Sequence, residues 1–155
     1  MKVIRIIATI LASVSMAFIL ACSEEKTASL EGHEDIVADL QKLLKCLDDP
    51  EITKEIYAEN AVLKWQDRET AQMNEQKGLK EIEKYYKEVG GNYRFVKLSI
   101  SDIKEDVNNA HVEYEITMLD RKTSLESGFN SSVEMVKLGQ NWKIKAEESK
   151  YALYD

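Results

Sequence analysis

Few residues of this chain have the type and spacing that chemistry requires. The two histidines, His33 and His111, and the two cysteines, Cys22 and Cys46, lie far apart in the sequence. Their spacings match neither a metal site nor a nucleophile paired with a base. There is also no Ser-His-Asp order, no glycine-rich phosphate loop and no CxxC pair. We therefore predict neither a bound metal nor a cofactor.

Cys22 stands at the end of a segment unlike the rest of the chain. Two basic residues precede an uncharged run over residues 6–20, and a short basic region followed by an apolar core is typical of a secretory signal. The motif Ile19-Leu20-Ala21-Cys22 resembles the lipobox of bacterial lipoproteins, where the cysteine thiol receives a diacylglycerol before cleavage in front of it. The resemblance implies a signal peptide over residues 1–21 and acyl chains such as palmitate on Cys22. An ordinary signal or an uncleaved anchor is the alternative.

Residues 22–34 are polar and acidic and predict a flexible tether, which joins the lipid to a domain over residues 35–155. Ser23 follows the cysteine, and by resemblance to lipoprotein sorting in bacteria with two membranes, a residue other than Asp there implies delivery to the outer membrane. The expected location is the cell envelope, with the membrane as a partner through the acyl chains.

The net charge of the domain limits which other partners are expected. Cleavage before Cys22 would lower the basic residues from 21 to 19 against 28 acidic ones, which moves the formal net charge from -7 to -9. An acidic domain lacks the Lys/Arg surface that DNA or RNA requires. Anionic lipid heads would repel it, so attachment should depend on the acyl chains.

Once Cys22 carries lipid, Cys46 is the single remaining thiol and no intramolecular disulfide can form. Cys46 is expected at the edge of the apolar face of the first helix, as a half-buried and inert thiol. An intermolecular disulfide or a reactive nucleophile is the alternative.

Apolar periodicity predicts the helices. An apolar stripe runs through residues 36–47, a short helix is expected over 51–57, and the clearest helix spans 79–89. Residues 61–65 predict a short strand, 66–77 a loop, and Gly90-Gly91 a left-handed helix end.

Beyond residue 92, apolar residues recur at every second position instead of at helical spacing. Four alternating segments follow, which bury one face each and predict long antiparallel strands. Their inward residues are expected to include Val96, Leu98, Ile100, Val112, Tyr114, Ile116, Met118, Leu125, Phe129, Val133, Met135, Trp142, Ile144 and Ala146. Helices followed by such a meander predict an α+β domain with a curved antiparallel sheet wrapped around the helices.

Three features resemble the nuclear transport factor 2-like superfamily in its SnoaL-like and ketosteroid-isomerase-like branches. They are residues 57–61 leading into the short strand, residues 77–86 opening a helix that ends in Tyr85-Tyr86, and residues 139–144 on the last strand. The resemblance spans residues 35–151 and implies a cone with a pocket between sheet and helices. Family enzymes place an Asp or His inside that cone as a general base.

The inward faces offer little of that chemistry. Tyr114 contributes a hydroxyl, and inward parity reaches Asp102 and Glu148 near strand ends, where each is either solvated or a catalytic carboxylate. His111 shares the parity of outward residues, and His33 lies in the tether.

Six aromatic residues either line a cavity or fill the core. They are Trp65, Tyr85, Tyr86, Tyr114, Phe129 and Trp142. Three functions stay open: a non-catalytic module that binds a small apolar ligand or a protein, a small isomerase, cyclase or hydratase, and an assembly partner such as a homodimer formed through the charged sheet face.

Overall fold

One curved sheet of six strands wraps around three helices in the computed structural model, which describes residues 30–67 and 70–152. Cys22, residues 1–21 and most of the proposed tether lie outside the described residues. The sheet order is β2-β1-β6-β5-β4-β3, with β1 parallel to β6 and the other pairs antiparallel. The strands are β1 (Tyr57–Gln66), β2 (Met73–Lys77), β3 (Tyr93–Asp106), β4 (Asn109–Asp120), β5 (Glu126–Leu138) and β6 (Asn141–Tyr151).

The helices are α1 (Glu34–Gln41), α2 (Thr53–Ile56) and α3 (Leu79–Gly90), with 3-10 turns at Lys42–Lys45 and Pro50–Ile52. The predicted α+β cone and its four long strands are confirmed. Several local predictions are wrong. The first apolar stripe changes from α-helix to 3-10 geometry after Gln41, the expected loop contains β2, and Tyr57 begins β1 rather than ending the short helix. The tighter turn places Cys46 fully inside the core rather than at its edge.

Two carboxylates fasten α1 to β6. The Asp39 carboxylate accepts the backbone N–H of Trp142 at 2.7 Å, and Asp35 accepts the Trp142 indole N–H at 2.9 Å. This hydrogen bond is the main reason that the pKa of Asp35 lies below its ordinary value. Helix α1 therefore closes the end of the cone around a fully buried Trp142.

Glycine allows α3 to approach the chain segment after α1. A Cβ on Gly90 would lie 2.1 Å from the Leu47 carbonyl oxygen. The predicted left-handed cap is wrong, because Gly91 has φ -61° and Gly90 is still helical. The glycine at position 90 is thus required by close backbone packing, and Leu47 is held against the end of α3.

We expect Gly90→Ala to destabilise the domain by about 1–3 kcal/mol, because the added methyl group overlaps backbone atoms. Helix propensity alone predicts a gain, since Ala is the better helix former. Gly91→Ala is the matched control, because its Cβ would find no neighbour closer than 3.9 Å. Urea unfolding of both variants measures the difference, and an unchanged or higher stability for Gly90→Ala would contradict the packing argument.

Candidate functional site

A cavity of about 370 Å³ lies between the sheet and α3. Half-buried residues such as Trp65, Asp67 and Tyr151 surround its outer part, and buried residues such as Tyr86 and Glu147 form its deep part. The described lining residues are Leu47, Leu63, Trp65, Gln66, Asp67, Tyr85, Tyr86, Val89, Tyr93, Phe95, Ile116, Met118, Ser127, Phe129, Glu147, Ser149 and Tyr151. The predicted pocket between sheet and helices is therefore present.

Aromatic rings form two groups on the walls. Trp65 stacks on Tyr85 with 5.1 Å between ring centroids, and Tyr85 meets the edge of Tyr86 at 5.4 Å. Phe129 and Tyr151 form a second pair at 4.4 Å. Four of the six aromatic residues predicted to line a cavity do so, and the rings hold one another in position.

Trp142 and Tyr114 do not line the cavity. Trp142 lies under α1 with its indole N–H bound to Asp35. Tyr114 is buried and donates its hydroxyl to Glu147 at 2.5 Å, so it supports a lining residue without reaching the cavity itself. The prediction that Trp142 contributes to the pocket wall is wrong because its inward direction leads to the end that α1 closes.

Glu147 is the carboxyl group that the sequence reasoning missed. Its side chain lines the cavity although the residue is only 5% exposed. Tyr57 donates to Oε2, while Tyr114 and Ser149 donate to Oε1, the latter at 3.2 Å. A buried carboxylate thus forms part of the cavity with three hydroxyl groups directed at it.

Two more hydroxyl groups lie behind those that contact Glu147. The Tyr86 and Tyr57 hydroxyls are 2.7 Å apart, and those of Ser131 and Ser149 are 2.8 Å apart. A hydroxyl has one proton, so Tyr57 and Ser149, which donate to Glu147, must accept from Tyr86 and Ser131. Three hydroxyls therefore donate to the carboxylate directly, and the other two donate to members of that set.

Burial and hydrogen bonding act in opposite directions on Glu147. Desolvation raises the pKa of its carboxyl above the ordinary value, and the hydrogen bonds from Tyr114, Tyr57 and Ser149 lower it in part. Burial likewise raises the pKa of the Tyr57, Tyr86 and Tyr114 hydroxyls well above their ordinary range. The carboxyl is thus the group of this network that titrates most readily.

A β-bulge explains why parity selected the wrong carboxylate. Ile144 pairs with Met135 and Ala146 with Glu134, so Lys145 is an extra residue in β6. The inner face continues through Glu147 and Ser149, whereas Glu148 turns outward and pairs with Lys150 at 2.6 Å. The inward assignment of Glu148 is therefore wrong.

Bulges in β3 have the same effect. The register shifts between Ile100 and Asp102, which leaves Asp102 on the outer side in an ion pair with Lys104 at 3.1 Å. A second shift turns Val96 outward, where it is 39% exposed, and Phe95 lines the cavity instead. Leu125, also expected inside, is 65% exposed just before β5 begins.

One signal could have located Glu147. Regular alternation after Ile144 would bring Lys150 to the inner face, whereas a shift by one residue brings Tyr151 there and Lys150 outside. A charged residue is costly inside and an aromatic residue is favourable, so the end of β6 contained a hint of the bulge.

The histidines lie away from the cavity. His111 points outward as predicted and contacts Glu134 at 2.7 Å and Glu113 at 3.1 Å, which raises its pKa. His33 bonds Glu105 at 2.6 Å. Within residues 30–67 and 70–152, no group of three or more His, Cys, Asp or Glu side chains is arranged to hold a metal ion. The helices of that part are all too short or too polar to cross a membrane.

We predict that the pH dependence of stability distinguishes the two neighbouring carboxylates. A raised pKa means that the folded state holds the Glu147 proton more tightly than the unfolded state. The free energy of unfolding therefore falls as pH rises from the ordinary Glu range to the raised value, then stays level. Glu147→Gln should remove this fall in denaturant unfolding measured across the acid range.

Glu148→Gln is the control with the opposite sign. The ion pair with Lys150 lowers the pKa of Glu148, so its small contribution to stability is present above the ordinary Glu range and is lost as pH falls through the lowered value. Identical pH profiles for the two variants would contradict the different environments.

No family model matches the chain, and no curated protein matches it. Several solved structures do resemble it. A ketosteroid isomerase-like protein from Erwinia carotovora aligns with a TM-score of 0.63 and 16% identity, covering 80% of this chain and 98% of the other. A nuclear transport factor 2-like protein of unknown function from Silicibacter pomeroyi aligns with a TM-score of 0.61 and 9% identity, covering 81% of this chain and 99% of the other. A protein of unknown function with a cystatin-like fold from Nostoc punctiforme aligns with a TM-score of 0.64 and 13% identity, covering 82% of this chain and 95% of the other. These identities establish the fold alone: the chain has the nuclear transport factor 2-like, or cystatin-like, fold.

Proposed function

We propose that the domain binds a small amphipathic ligand in the cavity, with a flat apolar body between the aromatic walls and a polar end at Glu147. The observation that carries this proposal is a cavity of about 370 Å³ with a hydrogen-bonded carboxyl in its deep part. Ligand sites in proteins combine mostly apolar walls with a few placed polar groups, and the volume lies within their usual range.

The Glu147 carboxylate and its donors leave room for a hydrogen bond from a ligand. A carboxylate has about four lone-pair sites, and the three described donors to Glu147 leave one site on Oε2. A ligand N–H or O–H would complete the set. The network also fixes the carboxyl before the ligand arrives, which lowers the entropy cost of association.

The binding proposal can be tested with 1-naphthylmethanol, a flat neutral probe with one hydroxyl. We expect calorimetric titration to show binding, and Ser127→Phe, which adds a ring at the cavity wall, to weaken it by about tenfold or more. Ser132→Phe on the outward side of the same strand is the matched control and should bind as the unaltered protein does. Equal effects of both variants, or no binding by this alcohol or by its ammonium and carboxylate analogues, would contradict a ligand site in this cavity.

Proton transfer is a second candidate function, favoured by the position of Glu147 in the cavity and its raised pKa. The hydroxyl donors make the carboxylate a weaker base, so binding alone is the better-supported function. The two are separated by turnover: a base would accelerate deuterium exchange at the α-carbon of 1-naphthylacetone in D₂O, and Glu147→Gln would abolish that acceleration.

We further propose that the domain is held at the cell envelope by acyl chains on Cys22, with the outer membrane as the destination in bacteria with two membranes. The support is the order of basic residues, apolar run and the motif Ile19-Leu20-Ala21-Cys22. In this arrangement, residues 23–33 would separate the lipid from α1, and the cavity would face the compartment outside the cytoplasm.

Labelling cells with radioactive palmitate tests the anchor. The unaltered protein should incorporate label, and Cys22→Ala should abolish incorporation because the acceptor thiol is gone. Cys46→Ala is the control and should remain labelled, since the Cys46 thiol is buried in the core. Label retained by Cys22→Ala would overturn the assignment.

A further inference from the structure

The Glu147 carboxylate has hydrogen-bond donors around it but no described counter-ion. Its partners are the hydroxyls of Tyr57, Tyr114 and Ser149, which carry no formal charge. Within residues 30–67 and 70–152, every ion pair found joins other residues, and most of them lie at the surface. A buried carboxylate without a cation is unusual, since buried charges are normally paired.

The rest of the cavity shares this charge pattern. Asp67 and Glu147 are its acidic lining residues, and no described lining residue is Lys, Arg or His. Aromatic rings form much of the cavity wall, including Trp65, Tyr85 and Tyr86. The faces of such rings attract cations, with Trp the strongest, and aromatic walls with a carboxylate are the chemistry that recognises organic ammonium groups.

We propose that the cavity selects an organic cation, with its ammonium group at Oε2 of Glu147 and its flat apolar body against the aromatic walls. This inference rests on the proposed function and names the class of ligand. A primary or secondary ammonium group donates an N–H to the fourth lone-pair site and supplies the missing positive charge. An anion would meet the Glu147 carboxylate and, among the described lining residues, no Lys, Arg or His, so the same cavity disfavours it.

The pocket should prefer a cation to a neutral ligand of the same shape. Both ligands gain the same contact with the rings, so their difference in affinity reports the charge of the polar end. The attraction between ammonium and carboxylate is strong in a site shielded from water, and it offsets the desolvation that already disfavours the ionised carboxyl. We therefore expect a preference of about tenfold or more.

The test compares three ligands that share one ring system: 1-naphthylmethylammonium, 1-naphthylmethanol and 1-naphthoate. Calorimetry at neutral pH should rank the affinities as cation, then neutral, then anion. Glu147→Gln should bring the ratio of cation to neutral affinity close to one, whereas Glu148→Gln, which removes an outward carboxylate from the same strand, should preserve it. If none of the three binds, the proposed function fails; if the alcohol binds and the cation binds no better, only this inference fails.

A pH titration of the unaltered protein covers the case in which Glu147→Gln does not fold. The titratable groups that interact with Glu147 are the Tyr57, Tyr85, Tyr86 and Tyr114 hydroxyls and the Cys46 thiol, whose pKa values all lie above their ordinary range, so they stay neutral on acidification. Asp67 is the other carboxyl of the cavity. The ratio of cation to neutral affinity should therefore fall as Glu147 is protonated, and a ratio that is constant through the acid range would overturn the inference.

The midpoint of this fall tests the role of Glu147, and a variant tests the role of Asp67. Loss of the preference above the ordinary Glu range supports Glu147, because burial raises its pKa. Asp67→Asn tests the other carboxyl of the cavity: a cation preference lost in Asp67→Asn and kept in Glu147→Gln would overturn the role given to Glu147.

Discussion

The central physical constraint of this domain is a carboxyl group placed inside a hydrophobic cone. Ionised Glu147 can be tolerated there only if its oxygens are hydrogen-bonded, and the fold provides donors from three strands: Tyr57 from β1, Tyr114 from β4 and Ser149 from β6 itself. The hydroxyl of Tyr86 adds α3 to the same network. One polar group thus links the helix, the sheet and the cavity, and the elements that solvate it also determine the shape of the cavity.

The two ends of the cone are organised differently. At the end near α1, carboxylates have a structural role. Asp35 and Asp39 accept hydrogen bonds from the side chain and backbone of Trp142 and close that end. Between the sheet and α3, space remains, and Leu47 is held at its border by the close approach of Gly90. Arg121 reinforces this region by binding the Asp48 carboxylate and the carbonyl oxygens of Gly90 and Tyr93. Polar contacts with Trp142 close the end under α1, whereas the side toward α3 keeps a cavity.

Much of the fold could be predicted because its signals are periodic. The amphipathic face of α3 and the alternation in the four long strands depend only on local geometry and burial, and the structure confirms them. The site depends on where that alternation fails. Single extra residues in β3 and β6 reverse the direction of Asp102, Glu148 and Glu147, and a bulge has no strong signature in one sequence. The local pattern predicts a helix through Tyr57, whereas the residue begins β1, because its contacts are with strands distant in sequence.

The bulges have a consequence for association as well as for the cavity. Strand β3 is the outermost strand on one side of the described sheet and is 14 residues long. A long, flat edge of this kind would offer its free backbone groups to a strand from another molecule. Two register shifts interrupt it, and Lys97 and Lys104 place positive charge along it. An irregular, charged border of this kind is a poor template for the stacking of copies that leads to aggregation.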